Sequence, residues 1–406
     1  SEDIPNDKEN FIANIIPYIE TSDESNEYNI ITAILSGIVC LIVDGYESAF
    51  LIDAREYPAR GVEEPEKYKV LRGSRDGFVE TLVANAALLR RRIRDPKFSM
   101  ELYGVGRRSR SDVVICYISD SVDKSVLKRM RKLIQSIDVD ALTMNIESLA
   151  ECMFTHKWIN PFPKFKYSER PDTATAAILD GNIVIMVDNS PAVMIIPASI
   201  FDIIEEADDF NFSPIIGSYL RVTRFFFSIV TWILTPLWLL FVNNPDWVPE
   251  FLKFILITDD ITVPVLLQLL ILELAVDGLK LAAVNTPTML STPLSIVAGI
   301  VVGEDAVSSG WFNPEALLYM AVVTVGTYGQ TNFEMGYAFK FLRVLMLILT
   351  QIFNLAGFIT GVVISVLMIA FNRTITGKSY IYPLIPWDGK MLKRKVFRVR
   401  LPHGFK

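Results

Sequence analysis

The chain has few of the residues that build metal sites and disulfide frameworks. Among its 406 residues are 3 cysteines (Cys40, Cys116 and Cys152) and 2 histidines. No cysteine has CxxC spacing, so the sequence predicts no disulfide framework and favours a reducing compartment. Cys152 and His156 share one helix face, but no second ligand pair accompanies them. No metal or cofactor is therefore expected.

Motifs of the common enzyme classes are also missing. The chain has no GxSxG, HExxH or Walker motif, and Gly104-Val105-Gly106 is too short for a phosphate-binding loop. The sequence therefore predicts that the protein is not an enzyme. Any transport is expected to be passive, because no nucleotide-hydrolysis motif is present.

Long parts of the second half have no ionisable residue. These uncharged runs cover residues 225–242, 281–303, 316–333 and 344–371, with a shorter run at 261–272. A bilayer core takes about 20 apolar residues in a helix, so the longer runs can span a membrane. The sequence therefore predicts an integral membrane protein with four to six crossings.

Basic residues beside these runs predict the orientation of the membrane domain. Arg221 and Arg224 precede the first run, and further lysines and arginines lie within 390–400, after the last one. Such residues favour the cytoplasmic side, and the polar, acidic N-terminus does not resemble a signal peptide. The head and the tail are thus expected in the cytoplasm, whereas residues 243–250 and 308–315, which carry only acidic charge, are expected outside.

An even number of crossings follows from this orientation. Lys340 and Arg343 are interpreted as a further basic pair on an inner loop. Either the run 344–371 is a hairpin bent near Asn354 and Gly357, or a segment between residues 259 and 293 is re-entrant. Both alternatives fit the sequence.

The head contains an internal repeat. Residue 34 aligns with residue 178, and the match continues without a gap to residues 54 and 198. Each copy is predicted to form three short strands, with turns at Ser36-Gly37 and Asp44-Gly45 in the first copy and at Asp180-Gly181 and Asn189-Ser190 in the second. Two unrelated meanders can converge on such a pattern, but the matched turns favour duplication.

Helix and strand patterns alternate between the two copies. Apolar residues recur every three or four positions over 76–94, which predicts a helix with Asp76 as its N-cap. A buried strand is predicted at 112–119, and helices are predicted at 122–137 and 145–156.

These patterns predict an α+β soluble head followed by an all-α polytopic transmembrane domain. The head is expected to hold two related α/β subdomains that meet in the proline-rich stretch 160–163. The expected domains are residues 1–160, residues 161–215 with the repeated meander, the transmembrane residues 216–375 and a basic cytoplasmic tail, 376–406.

Short motifs are spread along the head. In chain order they are Glu64-Pro65, Arg72-Gly73, Gly77-Phe78, Arg90-Arg91-Arg92, Pro161-Phe162-Pro163, Ser168-Glu169-Arg170-Pro171-Asp172 and Val187-Asp188-Asn189-Ser190-Pro191. Together they resemble the N-terminal domain of the spore germinant receptor A-subunit family, the GerA type, and the resemblance extends over nearly the whole chain. One departure is Asp305, at a position where the family pattern leads us to expect a small or apolar residue.

The resemblance implies a multi-pass protein of the spore inner membrane that takes part in germination. Its subunits are expected to form a homo-oligomer, a pentamer, that conducts ions. The expected partners are the lipid bilayer and other germination membrane proteins. The alternative is a non-conducting scaffold that recruits or stabilises germinant receptors.

Polar residues within the apolar half are candidates for lining or gating a pore. They are Asn285, Thr286, Thr288, Ser291, Thr292, Ser295, Glu304 and Asn354. Broken helices are tolerated at membrane depth where they line water or are buried in protein, and hydroxyl and carboxylate oxygens can replace part of an ion's hydration shell. Ordinary helix packing is the alternative, because serine and threonine are common where membrane helices touch.

Two charged groups complete the candidate sites. Glu273, Asp277 and Lys280 lie on one helical face and are expected to pair with one another or to form part of a gate. The basic surface of the head, expected to contact neighbouring subunits, comprises Arg72, Arg75, Arg90, Arg91 and Arg92. A solvated helix end is the alternative for these arginines. No nucleic-acid partner is expected, because the net charge is -7 and no binding module is visible.

Overall fold

The computed structural model describes residues 21–54, 60–66, 68–154, 160–285 and 305–399, and only the backbone of residues 284 and 285. The chain divides into two compact units between residues 60 and 61.

The first unit contains β1 (Thr21–Glu24), α1 (Glu27–Leu35), β2 (Val39–Leu41) and β3 (Ala49–Ile52). Strand β3 lies between β1 and β2 and pairs antiparallel with both. Phe50 on β3 is fully buried and anchors the small core of this unit.

The second unit begins with an α/β head, residues 61–211. Its elements are α2 (Leu82–Arg92), β4 (Phe98–Val105), β5 (Ser111–Ile118), α3 (Lys124–Gln135), α4 (Ile146–Met153), β6 (Lys166–Ser168), α5 (Pro171–Leu179), β7 (Ile183–Val187), β8 (Val193–Ile196), α6 (Ile200–Ile204) and α7 (Asp208–Asn211). The strand predicted at 112–119 and the helices predicted at 122–137 and 145–156 correspond to β5, α3 and α4. An α+β head is therefore confirmed.

One antiparallel sheet forms the centre of the head, with strand order β4-β5-β7-β8-β6. On one face, Val113 and Ile115 of β5 share a core with α3 and α4. On the other face, Val114 and Cys116 share a core with α2 and α5. Helices cover both faces, which explains why β5 and β7 are almost entirely apolar. Because β5 and β7 pair directly, the boundary expected at residue 160 falls within one sheet and not between two.

The two copies of the repeat adopt the same local structure. Gly37 follows the end of helix α1 and the aligned Gly181 follows the end of helix α5, with φ of 86° and 88°. In each copy two short strands follow, joined by a turn with positive φ at Gly45 or at the aligned Asn189. The prediction of three strands per copy is wrong at its first strand, which is the end of a helix. A glycine with positive φ terminates helices as readily as it forms hairpin turns, so the sequence pattern was ambiguous there.

Helix α2 begins later than predicted, because Asp76 has a different role. The Asp76 carboxylate accepts hydrogen bonds from the guanidinium groups of Arg92, at 2.7 Å, and Arg91, at 3.3 Å. The first backbone amide of α2, that of Leu82, instead donates to the carboxylate of Asp188 at 3.1 Å. An acid distant in sequence thus takes the capping role.

A helical bundle follows the head. Its elements are α8 (Pro214–Asn243), two 3-10 segments (Pro245–Trp247 and Glu250–Ile255), α9 (Val265–Asn285), α10 (Ala306–Ser308), α11 (Pro314–Tyr328) and α12 (Phe333–Ala370), after which comes α13 (Gly389–Val396). Residues of α6 and α12 share one apolar core, which defines the head end of the bundle. The opposite end, where α8 ends at Asn243, is called the far end.

Helices α9 and α11 run in the same direction, from the far end towards the head end. Near their starts, the side-chain amide of Gln268 donates to Asn313 Oδ1 at 2.8 Å. Near their ends, the Lys280 ammonium lies 5.2 Å from the centre of the Tyr328 ring.

Helix α12 is a helical hairpin. Asn354 has φ 51° and ψ -127°, which interrupts the helix. A Cβ built on Gly361 would lie 3.3 Å from the Cβ of Met346, whereas fifteen residues of straight helix would separate these positions by about 22 Å. Small buried residues, Gly357, Gly361 and Ser365, form the inner face of the second limb and allow the limbs to pack closely. The expected hairpin near Asn354 and Gly357 is therefore present.

Two helices of the described residues, α8 and α12, are long and apolar enough to cross a membrane. The four to six crossings expected from the sequence are therefore not confirmed. Helix α9 has 21 residues but carries three charges, and α11 has 15 residues.

After the bundle, the chain returns to the head. Ile375 is buried in the same core as the residues of α3 and α4. Tyr380 is also fully buried, with its ring centre 6.2 Å from that of Phe162. Two segments that are distant in sequence therefore complete the interior of the head.

A disulfide across the two limbs of α12 tests the hairpin. In a background with Cys40, Cys116 and Cys152 replaced by alanine, the pair Met346→Cys and Gly361→Cys is expected to form an intramolecular bond. The reason is that Cβ atoms about 4 Å apart suit a disulfide. Mass spectrometry of peptides from the monomeric, non-reduced protein measures the linkage.

A control pair with the same sequence separation lies in α8. Leu220→Cys and Thr235→Cys are expected to stay reduced within one chain, because they lie on a continuous helix. An unlinked test pair, or a linked control pair, would contradict the hairpin.

Candidate functional site

Five charged side chains meet inside the apolar bundle, and we call them the bundle charge cluster. Helix α9 contributes three of them on one face, and the first limb of α12 contributes two a single turn apart; they are Glu273, Asp277, Lys280, Lys340 and Arg343. Glu273 and Arg343 are the most buried members, 4% and 2% exposed. Charges this deep in a protein require partners, because unpaired burial is costly.

Glu273 and Arg343 form a bidentate ion pair. The guanidinium Nε and Nη2 of Arg343 donate to the two carboxylate oxygens of Glu273 at 2.5 and 2.9 Å. The remaining Nη1 donates to the backbone carbonyl oxygen of Thr231 in α8. Arg343 therefore joins α8, α9 and α12 at one point.

Lys340 connects the other acid to this pair. Its ammonium donates to Asp277 and, at 2.9 Å, to the backbone oxygen of Glu273. Asp277 Oδ1 is buried without a hydrogen-bond partner among the described residues. The cluster lines a cavity of about 20 Å³, which is room for about one water molecule.

Lys280 lies at the edge of the cluster and contacts aromatic rings. Its ammonium is 5.2 Å from the Tyr328 ring centre and 5.6 Å from that of Tyr337. Cation–π contacts of this kind favour a cation over a ring face. Lys280 therefore bridges the ends of three helices.

These contacts correct two sequence-based interpretations. Glu273 and Asp277 pair with α12 and not within their own helix. Lys340 and Arg343 lie inside α12 and not on a loop, so they carry no information about which side of a membrane they face. A sequence signal for the pairing existed: two acids one turn apart on one apolar helix complement two bases one turn apart on another.

Asn354 lies at the apex of the α12 hairpin. Its side-chain amide and that of Asn244 exchange two hydrogen bonds, of 2.6 and 2.9 Å. The pair fixes the apex against the end of α8 at the far end of the bundle. Asn354 therefore makes a helix contact, which was one of its two expected roles.

The other pore candidates lie at or beyond the end of α9. Thr286, Thr288, Ser291, Thr292, Ser295 and Glu304 lie outside the described residues. Asn285 is the last residue of α9, and only its backbone is described.

The head arginines divide into two groups. Arg90, Arg91 and Arg92 bind within the chain: Arg90 donates to the backbone oxygen of Phe98 at 2.9 Å, and the other two bind Asp76. Arg72 and Arg75 are exposed.

Within the described ranges, no group of three or more histidine, cysteine or carboxylate side chains is arranged to hold a metal ion.

A second network, not foreseen from the sequence, ties the head to α8 and α13. Arg221 is 1% exposed and binds Glu205 at 2.8 Å and the fully buried Asp209 at 3.3 Å. Lys395 of α13 binds Asp202 and, at 3.5 Å, Glu205. Burial opposes the charge on Lys395, but these two carboxylates outweigh it and raise the pKa of Lys395 above its usual range.

A double-mutant cycle tests the central ion pair. Glu273→Met or Arg343→Met alone is expected to lower the free energy of unfolding by about 3–5 kcal/mol, because each leaves a buried charge without its partner. The double variant should lose clearly less than the sum of the two. Unfolding in detergent, followed by circular dichroism, measures all four proteins.

The exposed pair Glu250 and Lys253, joined at 2.5 Å, provides the control cycle. Its coupling is expected to be small, because surface pairs contribute little. Additive losses at Glu273 and Arg343 would mean that their contact carries no coupling energy.

Comparison with known proteins identifies relatives that match nearly the whole chain. The model of the Bacillus/Clostridium GerA spore germination protein family matches residues 1–405. Stage V sporulation protein AF of Bacillus subtilis (strain 168) is 39% identical, over 95% of this chain and 76% of that protein. Spore germination protein GerLA of Bacillus cereus is 28% identical, over 95% of this chain and 78% of that protein.

Among solved structures, one match covers a minor part of the chain. The N-terminal domain of the A subunit of the Bacillus megaterium spore germinant receptor GerK3 is 33% identical, with a TM-score of 0.24, over 29% of this chain and 93% of that domain. The family resemblance drawn from the head motifs is confirmed by the family match and by the curated relatives. The chain belongs to the Bacillus/Clostridium GerA spore germination protein family.

Proposed function

We propose that this chain is a membrane subunit of a spore germination complex, and that it forms an oligomeric ion channel that releases ions during germination. Family membership supports the role in germination. The observation that carries the conducting role is the bundle charge cluster. Charges within membrane helices are costly, and those that are kept commonly mark ion pathways.

A bilayer around the bundle is supported by the placement of exposed aromatic residues. Residues 225–242 of α8 are uncharged, and 18 helical residues extend about 27 Å, close to the thickness of a bilayer core. Tyr219 is exposed at the head end, and Trp247, Phe251 and Trp311 are exposed at the far end. Aromatic residues favour both membrane interfaces.

The proposed location is the spore inner membrane, with several crossings and with the head and tail in the cytoplasm. The α12 hairpin supports this arrangement, because its two limbs cross in opposite directions and return the chain to the head. The proposed partners are further copies of this chain, as a pentamer, together with other germination membrane proteins and lipid. Exposed Arg72 and Arg75 are the proposed subunit contacts in the head.

The proposed ion path is formed by the polar candidates within residues 286–295 and by Glu304. From their chemistry, the hydroxyls of 286–295 and the carboxylate of Glu304 would replace water around an ion. Glu273 and Arg343 would act as a gate by exchanging partners when α12 moves against α9. A gate was one of the two roles that the charge spacing suggested for this group.

A non-conducting scaffold is the second candidate. The ion pairs of Glu273 with Lys340 and Arg343 favour it, because they neutralise these charges within a single chain. The cavity beside them, of about 20 Å³, has room for about one water molecule and not for an ion with its hydration shell.

Ion flux through proteoliposomes separates the two functions. Glu304→Gln and Thr292→Val are expected to change the rate or the ion selectivity of flux at least several-fold if these groups replace hydration water. Flux is measured with purified, reconstituted protein and a fluorescent ion indicator. Size-exclusion chromatography with light scattering measures assembly on the same samples.

Glu250→Gln is the control, because it removes a carboxylate that is exposed at the far end. Its flux should equal that of the unmodified chain. If Glu304→Gln and Thr292→Val alter assembly but leave flux unchanged, the scaffold is the correct function.

A further inference from the structure

The segment that follows the bundle presents an apolar and basic surface that the proposed channel does not use. Three neighbouring apolar side chains protrude from the loop before α13: Leu384, Ile385 and Trp387, which are 40%, 58% and 72% exposed. Within the next two turns come Lys390 and Lys393, which are also exposed. We call these five residues the tail surface.

The two lysines of the tail surface differ from the other cations around them. Lys395 is bound to Asp202 and Glu205, and Arg398 lies over the Phe210 ring. Within the part of the chain that the structure describes, Lys390 and Lys393 enter no ion pair. Their charge is therefore available to an external partner.

The position of α13 relative to α8 indicates what that partner is. Arg221 donates to the backbone oxygens of Arg394 and Lys395 at 3.0 and 3.1 Å, and the Arg398 amide donates to Ser218 Oγ at 3.0 Å. These contacts hold α13 beside the first turns of α8, about one turn before its uncharged run begins at residue 225. The C-terminal end of α13, which directly follows the tail surface, is therefore held close to the level where a bilayer would begin.

We propose that the tail surface binds the headgroups of anionic phospholipids in the leaflet that faces the head. This inference rests on the proposed membrane location. Tryptophan and aliphatic side chains favour the headgroup boundary, and lysines beside them are attracted to anionic lipid. An acidic protein would be attracted to the lysines too, but it would not explain why the apolar side chains stand at the start of a membrane helix.

Quenching by brominated lipids tests the proposal on the full chain. The purified protein in neutral detergent is titrated with brominated phosphatidylglycerol or brominated phosphatidylcholine. The signal of Trp387 is the difference between the unmodified chain and Trp387→Phe. We expect quenching at clearly lower mole fractions of phosphatidylglycerol, and weaker binding as salt rises.

Removing the lysines gives the quantitative result. Each basic residue near an anionic surface strengthens binding about fivefold, so Lys390→Gln with Lys393→Gln should weaken phosphatidylglycerol binding roughly 25-fold. The matched control is Lys128→Gln with Lys132→Gln, which removes two exposed lysines one turn apart on α3. This control should bind like the unmodified chain.

Three outcomes would overturn the inference. The first is equal quenching by the two lipids, and the second is equal loss in the Lys390/Lys393 variant and in the control. The third is insensitivity to lipid together with capture of the same surface by polyglutamate at physiological salt. Flotation keeps the proposed function separate: a chain that floats with neutral and anionic liposomes but gives one of these three outcomes defeats only this inference, whereas a chain that floats with neither also defeats the membrane location.

Discussion

The ion pair between Glu273 and Arg343 is the contact on which the architecture of the bundle depends. A single guanidinium group binds a carboxylate on α9 and a backbone oxygen on α8, and it is itself part of α12. An apolar interface tolerates many rotations of one helix against another, but a buried bidentate pair fits only one. We infer that the pair specifies helix register more than it adds to stability, since buried pairs rarely exceed apolar residues in net stabilisation.

The same pair is compatible with a gate and with a purely structural contact. A closed gate and a purely structural contact have the same arrangement when every charge is paired. What distinguishes them is whether the helices can exchange partners, and two features of the chain bear on that. Asn244 and Asn354 hold the far end of α8 to the hairpin apex, whereas the head end of α12 is packed into the core of the head. Movement of α12 would thus be transmitted to the head.

Local patterns in the sequence predicted much of this fold. The uncharged runs 225–242, 316–333 and 344–371 marked α8, α11 and α12, and the alternation of helix and strand marked β5, α3 and α4. The interruption at Asn354 predicted a hairpin, although spacing alone could not exclude the re-entrant alternative. Two of the failures share one cause: partners distant in sequence. Asp188, not Asp76, caps α2, and Lys340 and Arg343 became buried because α9 supplies acids that no local pattern could assign to them.

The return of the chain to the head after α12 has a consequence for biosynthesis. Ile375 and Tyr380 fill interior positions of a domain whose other residues were all translated before the first helix of the bundle. While the ribosome is still making the helices, the head therefore has an open apolar site. These positions are filled only after α12 has been made, so the core of the head can close only in chains whose synthesis has passed the bundle.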